Sequence, residues 1–266
     1  MERLLQTCSL LLFITSIAAG FRENGVPCIT QTFVLCDDAV EPKRCAFQRH
    51  QLNVHKIPYG FFTYVWKSEL TPEILEKFHL PLTRERGPSP GEASLIINHV
   101  FLAQHIRRNY AAGTFLVLES DAILGSNFST LLKTFLVELQ ERQDLELDVM
   151  FLGDCMGNVV TSPQEGVHLY KASKARCTDS LVWSYAGIVR FIDYYEKRAR
   201  SEVPNQEPLY SEPMDFVLEN FHNGVDNPGL YWTYPSIVTQ GSQHGLFSSH
   251  LRDSHLQPRS ADVNGD

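Results

Sequence analysis

The stretch Phe115-Leu116-Val117-Leu118-Glu119-Ser120-Asp121-Ala122 decides how the rest of the chain is read. Four apolar residues rich in strand formers read as a buried strand that runs straight into two carboxylates one residue apart. With a side-chain period of two, Glu119 and Asp121 point to the same side of the strand end. Open α/β sheets bind ligands beyond the carboxyl ends of their strands. Paired hard oxygens suit Mg²⁺ or Mn²⁺, which usually keep waters and take substrate phosphates as further ligands. The stretch thus reads as a metal–diphosphate site. The same residues allow a plainer account, in which Glu119 ends the strand and Asp121 starts a turn or caps the helix expected near Asn127 to Arg142.

Outward from this strand, helices and strands alternate. Gln31 to Cys36 reads as a strand, and Glu41-Pro42 opens a helix to about Val54 with proline just inside its start. Phe61 to Trp66 is a second strand, Thr71-Pro72-Glu73 starts a short helix to about His79, and Gly91 to Tyr110 is a longer helix. Arg84 to Pro90 is a charged, Pro/Gly-rich loop. An amphipathic helix ending near Arg142 and a strand from Asp148 to Leu152 complete this half. Strands separated by helices indicate βαβ units and a mostly parallel sheet. The second half is less regular: a polar loop at 159–166, an edge strand at 168–172, and a helix from Ser184 to Arg200 with Ile188, Phe191, Ile192 and Tyr195 on one face. After a linker at 204–208, Glu212-Pro213-Met214-Asp215 opens a helix to about Asn220. Tyr231 to Thr239 forms a late strand broken at Pro235.

The 266 residues, 43% of them hydrophobic, can bury one large core or two unequal lobes. A net charge of −8 leaves no basic stripe to neutralise nucleic-acid phosphates, so a nucleic-acid binder is excluded. Residues 1–20 carry Arg3, an apolar run densest at Leu10 to Ile17, and Ala18-Ala19-Gly20, the pattern of a signal peptide or short anchor. The remainder then belongs to the secretory pathway, in the ER or Golgi lumen, or is secreted. The globular domain spans 21–254, and the apolar-poor tail 255–266 is expected to be disordered. With Cys8 removed, Cys28, Cys36, Cys45, Cys155 and Cys177 remain, an odd set in which disulfides such as Cys155–Cys177 are expected. Asn127-Phe128-Ser129 is a glycosylation sequon. No G-x-S-x-G elbow and no compact Cys/His signature points to a hydrolase.

Five blocks, in order and covering roughly residues 30 to 250, resemble glycosyltransferase family 25, which contains bacterial lipooligosaccharide galactosyltransferases and eukaryotic collagen hydroxylysine galactosyltransferases. Gly91-Glu92 with Asn98-His99 is similar to the family's G-E…S-H block, with Asn98 where serine is usual and Leu95 where cysteine is frequent. Leu118-Glu119-Ser120-Asp121-Ala122 resembles L-E-D-D-A, with Ser120 for the middle acid. Asp148-Val149-Met150-Phe151-Leu152-Gly153 resembles a strand ending in Leu-Gly, and Cys177 to Gly187 resembles a C…Y…S…G-A block loosely. Pro213-Met214-Asp215 and Tyr234-Pro235…Gln240 resemble the closing P-x-D and P…Q blocks.

The resemblance implies an α/β, GT-A-like (Rossmann-like) fold. It also implies metal-assisted, inverting transfer of a hexose, galactose or glucose, from a UDP-sugar to a hydroxyl of a glycan, protein or lipid-linked acceptor. In that scheme Asp121 ligates Mn²⁺ or Mg²⁺, with Glu119 as second ligand or as holder of metal-bound water or ribose. His244 is a candidate last ligand in the carboxyl-terminal segment. Asp215 is the candidate general base, although an acid in the first turn of a helix is also explained by the helix dipole. Arg44 is a candidate nucleotide contact, and His99 with Glu92 a candidate site support; a buried structural histidine and surface arginine are the plainer readings. A secreted binding or adhesion module with the same fold and no turnover is the rival function.

Overall fold

The computed structural model describes residues 22–248 other than 24–25, 82–87, 143, 154–159, 161, 173, 175–176 and 201–212. The signal at 1–20, the tail at 255–266, loop residues 84–87, the linker at 204–208, and Cys8, Cys155 and Glu212 lie outside the described residues.

In chain order the elements are β1 (Arg22–Glu23), β2 (Val26–Pro27), β3 (Gln31–Leu35), α1 (Pro42–Val54), β4 (Gly60–Phe62), a 3₁₀ turn (Lys67–Glu69), α2 (Pro72–Lys77) and α3 (Pro90–Asn109). They continue with β5 (Thr114–Glu119), β6 (Ala122–Leu124), α4 (Phe128–Glu141), β7 (Val149–Phe151), β8 (Leu169–Lys171), β9 (Ser180–Ser184), α5 (Tyr185–Ala199), α6 (Met214–Gly224), β10 (Leu230–Thr233) and β11 (Val238–Gln240). The main sheet runs β4-β3-β5-β9-β7-β10-β8. Five strands point the same way, and β9 and β8 oppose them.

Period-two alternation in β5 feeds two cores. Phe115 and Val117 face one, with Ile96, Ile97 and Val100 of α3, Phe191 of α5 and Phe221 of α6. Leu116 and Leu118 face the other, with Leu52 of α1 and Phe128, Leu132 and Phe135 of α4. Helices therefore cover both faces of a sheet whose central strands are buried on both sides, an α/β architecture compatible with a Rossmann-like fold.

Helix starts follow local chemistry. Ser89 and Glu92 form a reciprocal capping box at α3, with Pro90 in its first turn. The Ser184 hydroxyl accepts from Gly187 N–H at 2.9 Å and caps α5. The expected stripe Ile188, Phe191, Ile192, Tyr195 is buried on α5.

Two expectations change. The strand expected over Phe61 to Trp66 stops at Phe62, because side chains of α3 take the next backbone groups: Asn98 Oδ1 accepts from Tyr64 N–H at 2.7 Å, and Ser94 Oγ donates to Val65 O at 2.9 Å. β9 was not anticipated, and it makes the sheet mixed by inserting antiparallel between β5 and β7. A parallel neighbour would need a helical crossover; none lies between β7 and β9 among the described residues. The late strand does break at Pro235, into β10 in the main sheet and β11, which pairs with β6 instead.

Candidate functional site

The end of β5 is held by three polar side chains at helical spacing on α1. Gln48 Nε2 donates to the carbonyls of Glu119 (3.2 Å), Ser120 (3.1 Å) and Ala122 (2.8 Å). Gln51 Nε2 donates to Ala122 O at 2.7 Å, and its Oε1 accepts from Leu124 N–H at 2.9 Å. Arg44 Nη1 donates to Ser120 Oγ at 3.1 Å, while its Nε lies 3.3 Å from Glu41 Oε1. The Cys36–Cys45 disulfide, with Cα atoms 5.9 Å apart, ties the end of β3 to this helix. All three side chains are buried, so the turn from Glu119 to Leu124 is fixed by hydrogen bonds that water does not compete for.

Three carboxyl groups converge here. Glu119 Oε1 accepts from Thr178 Oγ1 and lies 3.6 Å from Nε2 of the buried His99, an atom with no hydrogen-bond partner among the described residues. Asp121 Oδ2 accepts from Ser242 N–H at 3.2 Å. Burial and then the Glu119 charge raise the Asp121 carboxyl above its ordinary range, opposed by the Ser242 hydrogen bond and Arg44. Asp179, fully buried at the start of β9, is pushed up to about 8 by burial and then by Glu119. Its carbonyl accepts from Glu119 N–H at 2.9 Å.

Glu119 and Asp121 open into a cleft with about 690 Å³ of empty volume, its solvent-open mouth included; Asp179 does not line it. Leu35, Thr63, Trp66, Lys67, Ser94, Leu95 and Asn98 line it, with Arg44, Glu119, Ser120, Asp121 and Ser242. The carboxyl-terminal segment 241–248 lies over the acidic turn. Gly241 N–H donates to Asp121 O at 2.8 Å, Arg44 donates to Ser248 O, and the Arg44 guanidinium sits 5.1 Å from the centre of the Phe247 ring.

No family model matches this chain, and no curated protein does. Of those expected from sequence, Arg44, Glu119 and Asp121 line one cleft, and His99 stands against Glu119 from behind. Glu92 closes the capping box of α3 and does not line the cleft. His244 is exposed in the turns after β11 and does not line it either. Asp215 is in the first turn of α6, outside the cleft, with Oδ1 accepting from Phe216 N–H at 3.0 Å; its neighbour Met214 borders a small cavity shared with His99. Among the described residues no set of three or more His, Cys, Asp or Glu side chains is arranged to hold a metal. Glu119 and Asp121 are oxygen donors of the kind Mg²⁺ or Mn²⁺ takes, since such ions bind through one or two carboxylates and complete their shells with water and phosphate oxygens. Cys177 is disulfide-bonded, while Cys155 lies outside the described residues.

Sequence reading missed Gln48, Gln51, Asp179 and the Ser242 amide. Asp179 had one available signal: Leu181-Val182-Trp183, apolar strand formers bounded by Ser180 and Ser184, which mark β9 and put Asp179 at its start.

Proposed function

We propose that this chain is a glycosyltransferase of the secretory pathway, related to family 25 and of GT-A type, that transfers galactose or glucose from a UDP-sugar to a hydroxyl acceptor with inversion. The observation that carries this reading is the convergence of Glu119, Asp121 and Arg44 on one cleft at the carboxyl end of β5. The Cys36–Cys45 disulfide and the bonded Cys177 support an oxidising compartment.

In this reading Asp121 and Glu119 would hold Mn²⁺ or Mg²⁺. The ion would neutralise charge on the departing nucleoside diphosphate. Arg44, buried beside Ser120, adds fixed positive charge to the same end of the cleft, where pre-oriented charge stabilises a developing phosphate anion. Gln48 and Gln51 keep the acidic turn from shifting as that charge appears. Asp215 remains the candidate for taking the acceptor's proton. For it to do so, the acceptor would have to enter from the α6 side of His99, because Asp215 is not on the cleft wall.

One observation favours the binding-module reading. The charged groups at the turn already have partners, Arg44 in Glu41 and in Ser120 at the middle acid's place, and Asp121 in the Ser242 amide. Two measurements on the whole protein decide between them. The first is release of UDP from UDP-galactose and UDP-glucose with and without Mn²⁺. The second is the Tm with UDP and Mn²⁺, where a ligand at about 100 Kd adds about 2.7 kcal/mol to native-state stability. Metal-dependent turnover supports the transferase. Neither turnover nor a Tm rise would leave the module.

A further inference from the structure

We infer that Asn127 carries an N-linked oligosaccharide, added before its helix docks and rooted at a point that the fold keeps clear of the cleft. The inference rests on the secretory part of the reading above and not on its chemistry. Asn127-Phe128-Ser129 is the only Asn-x-Ser/Thr triplet in the chain, so a single residue carries the whole effect.

By sequence the triplet stands close to the acids, since Asn127 follows Asp121 by only six residues. The fold separates them. At the cleft Arg44 donates to Ser120 Oγ, further along α1 Gln51 bonds Ala122 and Leu124, and just past the helix end His55 O accepts from Ser129 Oγ. The eleven residues from Arg44 to His55 rise roughly 16 Å at about 1.5 Å each. Beside them β6 carries the chain extended from Ala122 to Leu124, and Gly125 N–H then donates to Ile237 O before the turn into α4. Asn127 accordingly does not line the cleft.

The two ends of the triplet differ in what the fold asks of them. Asn127 is exposed at the start of α4, and its side chain does not cap the helix, so a sugar on the amide displaces no cap. Phe128 is fully buried, with its ring centre 5.7 Å from that of His55, and the Ser129 hydroxyl is engaged at 3.2 Å by His55 O. Once α4 has docked, the triplet is held in a helical turn with its middle residue in the core, and cannot be drawn into an enzyme's active site. The sugar is therefore added while the segment is still unfolded. In that step the Asn127 amide nitrogen bonds to the anomeric carbon of a lipid-pyrophosphate-linked oligosaccharide. The bond from that carbon to the pyrophosphate oxygen breaks, the lipid pyrophosphate leaves with the electron pair, and the nitrogen gives up one proton. The compartment's own transferase supplies the catalysis.

The test uses the full chain, with its own amino-terminal segment, expressed in a eukaryotic secretory host and then treated with peptide N-glycosidase. One discrete gain in gel mobility is expected, with Asp in place of Asn at residue 127 in the peptide mass spectrum. Asn127→Gln and Ser129→Ala should run at the deglycosylated position without treatment, and Ser129→Thr, which keeps the hydroxyl, should run like the parent. An intact Cys36–Cys45 disulfide and a cooperative melt show that each variant folds. Chain synthesised in the presence of microsomes should acquire the sugar, whereas oxidised, folded chain added to the same microsomes after permeabilisation should not; modification of the folded chain would overturn the order of addition. If the disulfide-bonded parent in the secretory pathway shows no shift, or Asn127→Gln still shows one, the glycan inference falls and the secretory reading stands. If the chain stays outside that pathway with Cys36 and Cys45 reduced, both fall.

Discussion

Gly153 sits directly against the buried carboxyl of Asp179: a Cβ at residue 153 would lie 2.3 Å from Oδ2 and 2.8 Å from Oδ1. The Leu-Gly end of the β7 segment is thus a steric requirement of the third acid in the site. Gly153→Ala should destabilise the fold by about 1–3 kcal/mol, as overpacking of a closed interior does. Asp179→Ser shortens the side chain and should recover most of that loss. A double-mutant cycle in urea measures the coupling. Additive losses would show that Gly153 matters for some other reason.

The same carboxyl gives a pH dependence. Its folded-state value of about 8 lies above the ordinary 3.8, raised by burial first and then by Glu119. Between those values the native state holds a proton that the unfolded chain has released, so stability contributed by Asp179 is complete below pH 3.8 and is lost as pH rises through 8. Asp179→Asn, which keeps the shape without the proton equilibrium, should be more stable than the parent at pH 8, with the advantage shrinking towards pH 4. Tm measured across this range in metal-free buffer checks it. Parallel curves would mean that Asp179 is not protonated in the native state.

What the sequence made legible, and what it did not, divides along hydropathy. β5 and its acids were readable because an apolar run stopping at charge has one simple explanation, and the stripe on α5 was readable from its spacing. The residues that build the site around β5 carry no such pattern. Gln48 and Gln51 are polar on a helix and look like solvent-facing positions, yet both are buried because they bond the backbone of residues 119–124. Their role depends on a partner about 70 residues away, which local periodicity cannot reveal. Asn98 departs from the resembled family's serine, and the departure is explained only once the backbone of residues 64–65 is beside it. β9 pairs antiparallel with both β5 and β7 and is not joined to either by a hairpin, so its direction was hidden although Leu181-Val182-Trp183 signalled a strand.

Arg44 joins the acidic turn to the carboxyl-terminal segment, through Ser120 and Glu41 on one side and Ser248 O and Phe247 on the other. Removing it takes from the buried Glu41 the guanidinium 3.3 Å away, a loss of up to about 3–5 kcal/mol. Arg44→Ala should therefore lower stability by this amount and speed hydrogen exchange at Leu246 and Phe247, whose amides bond Gly241 O. The pair Glu41→Leu with Arg44→Met removes both charges and should restore much of the stability but not the slow exchange. Slow exchange persisting in both variants would show that Asp121 alone holds the segment.

The functional reading requires two acids to fail differently. Asp121, in the cleft and bonded to Ser242, is the candidate ion holder; Asp215, at the start of α6 and off the cleft wall, is the candidate base. Losing an ion ligand weakens the ground-state complex, so Asp121→Asn should reduce Mn²⁺-dependent UDP-sugar binding at least about 10–100-fold. Losing a base acts on kcat, so Asp215→Asn should bind the donor like the parent and transfer about 10²–10⁴-fold more slowly. Calorimetry with UDP–Mn²⁺ and a UDP-release assay separate the two. If Asp215→Asn transfers at the parental rate, the base assignment alone falls. His99 is then the next residue to substitute: its Nε2 is buried, lacks a hydrogen-bond partner among the described residues and lies 3.6 Å from Glu119, whereas Glu92 is already engaged in capping α3. If Asp121→Asn binds UDP–Mn²⁺ like the parent, and the parent turns over no UDP-sugar, the transferase reading fails and the binding module takes its place.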